Sequence, residues 1–76
     1  MTAKVFAIVA AVMTVPASSV SIDSTPANIG HWDSLKHMNL ILAVEEAFGI
    51  EFTDDEIVGV QDVRTLVDVL RAKGAL

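Results

Sequence analysis

The chain has 76 residues, 53% of them hydrophobic, with a net charge of -5, a pI near 4.6 and no cysteine. That length suits one small domain, residues 1–76, with little room to enclose a substrate, and the acidic balance argues against nucleic-acid binding. The lack of cysteine excludes disulfides and thiolate metal sites; His31 and His37, six positions apart, do not share a helical face, so no metal is expected.

Near the N-terminus, Lys4 is followed by an uncharged run over 5–13, and Val15-Pro16-Ala17 imitates a secretory cleavage site. Against that, Val5, Ile8, Val9 and Val12 recur at i, i+3, i+4 and i+7, which predicts a helix with one face on a core. Losing this segment would leave about 59 residues, close to the size at which folding alone becomes marginal. The run is too short to span a bilayer, so a cytoplasmic chain without membrane insertion is expected. Phe6, Ala7, Ala10 and Ala11 are left for the outer side of this helix, either as a partner-binding patch or as additional core.

Residues 16–32 change character, with Ser18, Ser19, Ser21, Ser24, Thr25, Pro16, Pro26 and Gly30. Val20, Ile22 and Ile29 are spaced as anchors through this stretch, so it reads as a long ordered loop rather than a linker. Next, Asp33 is a good N-cap for a helix from Ser34 to Phe48, and Gly49 sits where a C′ glycine belongs. Leu40, Ile41, Val44 and Phe48 form its inward stripe, with Leu35 near the start. Met38 and Leu42 fall on a neighbouring apolar face that the core does not fully cover, a first sign of a binding surface.

Ser34 opens this helix, where backbone N–H groups and the helix dipole favour an anion such as a phosphodiester. Its ordinary role is to help Asp33 with the cap. A nucleophilic role, with His31 or His37 as base, finds no support from an oxyanion site or an enclosed pocket in the pattern.

Thr53-Asp54-Asp55-Glu56 has the form of a capping box, and Gly59 should end that helix after about two turns. Asp62 caps a last helix in which Val63, Leu66, Val67 and Leu70 repeat at helical spacing; Arg71 and Lys73 complement its C-terminal dipole and Gly74 ends it. With no competing strand alternation, the expected fold is all-α: a small four-helix bundle, three helices longer and one short, with a long loop between the first two.

Asp33-Ser34-Leu35, followed in register by Leu40, Glu45-Glu46, Phe48, Ile50 and Phe52, resembles the acyl carrier protein family over essentially the whole chain. The resemblance implies that Ser34, flanked by Asp33 and Leu35, accepts 4′-phosphopantetheine from coenzyme A through a phosphopantetheinyl transferase. The thiol of that group then carries an acyl thioester between loading and processing enzymes, and the chain, expected to be monomeric, does no catalysis itself. Family members serving general fatty acid synthesis usually carry acids two and five residues after the modified serine; here those positions are Lys36 and Asn39. The change points to a specialised lipid or secondary-metabolite pathway, with Lys36, Met38, Asn39, Leu42, Glu45 and Glu46 facing its enzymes.

Two residues, His31 and Trp32, separate Gly30 from Asp33, one more than is usual in the family, and Trp-Asp-Ser-Leu looks like the version in specialised carriers. Trp32 either packs the loop onto the bundle or flanks the prosthetic arm. Two alternatives stay open. One is a peptidyl or aminoacyl carrier loaded by an adenylating enzyme. The other is an unmodified helical interaction module that uses the acidic run from Glu45 and Glu46 through Glu51, Asp54, Asp55 and Glu56 to Asp62.

Overall fold

Each predicted cap initiates a helix in the computed structural model, which describes residues 2–29 and 32–76. Gly30 and His31, and with them the extra residue ahead of Asp33, lie outside the described residues. The helices are α1 (Thr2–Met13), α2 (Ser34–Phe48), α3 (Asp54–Gly59) and α4 (Val63–Ala72), and one 3₁₀ turn, Ala17–Ser19, lies in the first loop. None of these helices is long and apolar enough to cross a membrane.

Helix α1 packs mainly on α2 through Val5, Val9, Ala10 and Met13. Its buried stripe is therefore turned from the expected one: Ile8 and Val12 are half-buried, and Ala10 is in the core instead of outside. The helix is apolar nearly all round, so periodicity discriminates poorly between faces and the partner helix decides. Ala7 and Ala11 are exposed, while Phe6 leans on the core. Lys4 ties the start of α1 to the end of α2, donating to the Ala47 carbonyl at 3.1 Å with its ammonium 4.7 Å from the Phe48 ring centre. A cation at a helix C-terminus meets unpaired carbonyls and the negative end of the dipole.

The loop after α1 is ordered by its anchors. Val20 and Ile29 are buried and Ile22 half-buried. Ser24 is the unexpected member: it is buried, its Oγ accepts from the Ser21 amide at 2.9 Å, and its carbonyl accepts from the Val63 amide at 3.0 Å. The loop is thus hydrogen-bonded to the start of α4. An exposed ion pair of Arg64 with Asp23, at 2.7 Å, lies beside this link.

In α2, Leu40, Ile41 and Val44 are buried and Phe48 is half-buried, as the spacing predicts. Leu35 is the correction, since it is 70% exposed and not part of the inward stripe. It stands at the second helical position, ahead of the turn where α2 meets its neighbours, so nothing covers it. Gly49 has φ 66° and closes α2 through its amide to the Glu45 carbonyl. That left-handed conformation is the one glycine adopts without a steric penalty.

Helix α4 buries Val63, Leu66, Val67 and Leu70, and Asp62 and Thr65 exchange the reciprocal bonds of a capping box at its start. Lys73 does more than complement the dipole. Its ammonium crosses to Glu56 of α3 at 2.8 Å and lies 5.8 Å from the Phe52 ring centre.

Candidate functional site around Ser34

Asp33 is extended at φ -104° and ψ -175°, and its carboxylate accepts from the Lys36 amide at 2.8 Å. Its carbonyl accepts the first regular helical bond, from the His37 amide at 2.8 Å. The intervening amides of Ser34 and Leu35 are among those that α2 itself leaves without an acceptor. Ser34 is exposed, so its hydroxyl stands in solvent beside donors and the positive end of the α2 dipole. This arrangement fits an anion attached at Ser34.

The surroundings hold a feature that the sequence reading missed. The half-buried indole of Trp32 packs against the core, and its Nε1–H donates to His37 Nδ1 at 3.1 Å, with the rings 24° from parallel and their centres 6.3 Å apart. His37 Nε2 in turn lies 2.9 Å from the carbonyl of Ile57 in α3. A signal was present: a partly buried indole N–H needs an acceptor, and His37 stands within reach on the first turn of the next helix. Both imidazole nitrogens are engaged by these contacts, so neither is free to take a proton from Ser34, which removes the geometric basis for His37 as a hydrolytic base.

An open groove of about 550 Å³ lies between α2 and α3, bordered by Ser34, Trp32, His37, Met38, Val58 and Gln61. Of the large exposed apolar residues Leu35, Met38, Leu42 and Val58, Met38 and Val58 line this groove. Asn39 is exposed and Lys36 partly so.

The two predicted acids at the far end of α2 differ. Glu46 is exposed, whereas Glu45 is partly buried and its Oε2 accepts from the Phe52 amide at 2.8 Å. In the acidic run beyond, Thr53 and Glu56 cap α3 and Asp62 caps α4, while Glu51, Asp54 and Asp55 are exposed. The Lys73 ammonium first, and then the Thr53 amide, hold the Glu56 carboxyl below the usual carboxylate range.

A family model described as a phosphopantetheine attachment site matches residues 3–70. The chain is also similar to the acyl carrier protein of Guillardia theta, 36% identical over 72 residues that make up 95% of this chain and 89% of the relative. It is 37% identical to that of Prochlorococcus marinus over 70 residues, 92% of this chain and 88% of the relative. The corresponding figures for the acyl carrier protein of Coprothermobacter proteolyticus are 32% over 60 residues, 79% and 73%.

Proposed function

The chain belongs to the acyl carrier protein family, which carries a covalently attached 4′-phosphopantetheine, and from that premise we propose that Ser34 is the attachment residue. The observation that carries this reading is the placement of Ser34: an exposed hydroxyl at the first position of α2, held by the Asp33 cap next to free amides and a groove. A phosphodiester formed there has its charge stabilised by the helix start. When bound, the group supplies a thiol on a long arm, to which acyl chains attach as thioesters. The protein's own residues do the rest. Asp33 and the first turn orient the serine, Leu35 gives an incoming phosphopantetheinyl transferase an apolar contact beside it, and catalysis is left to partner enzymes.

The same reading assigns the outer side of α2, with Lys36, Met38, Asn39, Leu42, Glu45 and Glu46, to acyl-loading and acyl-processing enzymes. Lys36 and Asn39 replace the acids that the family resemblance leads one to expect, so the partners belong to a specialised lipid or secondary-metabolite pathway. The chain works as a monomer in the cytoplasm and as one carrier domain.

Incubation with coenzyme A and a broad-specificity phosphopantetheinyl transferase should add the mass of one phosphopantetheine to the wild type and nothing to Ser34→Ala. Equal gains in the two proteins overturn the assignment. Paired Lys36→Asp and Asn39→Glu changes should improve turnover by general fatty acid synthesis enzymes by about tenfold, by restoring attraction and removing repulsion; unchanged turnover refutes the specialised-partner reading.

A further inference from the structure

Helix α3 fully buries none of its six residues and only Ile57 leans on the core, so polar contacts carry much of the placement of its ends. At the N-terminal end, Thr53 and Glu56 form a capping box and Lys73 binds Glu56. The C-terminal end is less ordinary. Helices leave their last carbonyls without internal partners, and here the Glu56 carbonyl accepts from the Val60 amide while the Gln61 amide is turned to Thr65 Oγ1 at 2.9 Å. The Ile57 carbonyl is met by His37 from α2 instead.

That bond and the bond from Trp32 together define the imidazole. An indole N–H only donates and a carbonyl only accepts, so Nδ1 is the acceptor and Nε2 carries the proton. One neutral ring therefore joins the segment leading into Ser34 to the far end of α3. These three partners, Trp32, His37 and Ile57, all border the groove that reaches Ser34.

We infer that His37 is a positioning residue: it holds the Trp32 indole and the end of α3 in one frame, and so fixes the groove in which the arm carried on Ser34 lies. The inference rests on Ser34 being the attachment residue. The arm is the occupant because its anchor is itself part of the groove wall, which makes the groove the nearest surface available to it. Trp32, Met38 and Val58 offer apolar contact to its methylenes, and Gln61 places a side-chain amide beside them for its own amides.

Histidine is hard to replace in this role. Asparagine puts an acceptor close to the Nδ1 position but does not reach Ile57; glutamine reaches Ile57 with a donor but loses the acceptor facing Trp32. Trp32 is the only tryptophan, so its indole N–H resonance reports on the frame without interference.

The test compares apo and phosphopantetheine-loaded forms of the wild type, His37→Asn and His37→Gln by intact mass and by ¹H–¹⁵N spectra. In the wild type, loading should move the indole N–H resonance. In His37→Gln, indole hydrogen exchange should speed up by about tenfold through loss of the acceptor. Both variants should still gain the full mass, and in both the loading-dependent movement of the indole resonance should be lost. Full mass gain with an unmoved indole in the wild type overturns the inference while leaving the attachment site intact. Retention of the full movement in both variants also overturns it. Absence of mass gain in the wild type instead removes the attachment reading on which the inference rests.

Discussion

Helices α3 and α4 are neighbours in the chain and both begin with a reciprocal capping box, yet they are held in opposite ways. Helix α4 sinks Val63, Leu66, Val67 and Leu70 into the core, whereas α3 buries no side chain and is tied at its two ends by Lys73 and by His37. A cap therefore starts a helix but does not decide what the helix is for. Burial makes α4 part of the framework; α3, with only Ile57 leaning on the core, is a wall beside Ser34 placed largely by the hydrogen bonds at its two ends.

The largest expected break in that comparison comes from truncation in the framework. Leu66 is fully buried, so Leu66→Ala should cost about 2–5 kcal/mol in urea unfolding, through lost burial and the cavity left behind. Val58 on α3 is 76% exposed, and Val58→Ala should stay within about 0.5 kcal/mol of wild type. Comparable losses for the two would abolish the distinction.

Next come the caps themselves. Asp62→Ala should lower global stability by about 1 kcal/mol, since α4 unfolds with the core. Thr53→Ala removes the bond from the Glu56 amide to Thr53 Oγ1 but should appear mainly as faster amide exchange within α3, with little change in the global midpoint. A global loss as large as that of Asp62→Ala would show that α3 belongs to the framework after all.

The same contrast explains what could be read without coordinates. Caps and glycine stops are local, so Asp33, Thr53, Asp62 and Gly49 located the helix ends correctly. Alternating burial in α4 was equally plain, because charged residues such as Arg64, Asp68 and Arg71 separate its apolar ones. In α1 the apolar residues run together, so the buried face rests on which side meets α2, and Met13 and Ala10 enter the core in place of the fuller burial expected of Ile8 and Val12. Leu35 failed for a related reason: its spacing suits the inward stripe, but a residue on the first turn extends past the neighbours that would cover it.

At the site, the family resemblance around Ser34 was legible because Asp33-Ser34-Leu35 is followed in register by Leu40, Glu45-Glu46, Phe48, Ile50 and Phe52. Of the bridge through His37, the half from Trp32 left a signal but the half to Ile57 did not. The latter joins residues 20 positions apart and uses a backbone carbonyl, which leaves no mark on residue identity. Ser24 and Lys73 are comparable cases, each a polar residue whose partner sits on a distant element.

The smallest expected effect is electrostatic and again separates the two helices. Because the folded Glu56 carboxyl is held below its ordinary value of 4.5, its contribution is complete above that pH and is lost as pH falls through the lower folded value. Amide protection in α3 should therefore decline on acidification before that of α4 does, and Lys73→Ala should weaken this pH dependence by removing the ammonium that contributes most to it. Identical acid profiles for the two helices would argue that the ion pair does not hold α3.

Mass analysis of the protein isolated from its own cells tests the central claim most directly, because the segment from Val5 to Lys36 can be released by cleavage after lysine and contains Ser34. That peptide should carry one phosphopantetheine, with an acyl group as a thioester on a fraction of the molecules. An unmodified Ser34 in cells whose other carrier proteins are loaded, or the group on a different residue, would contradict it.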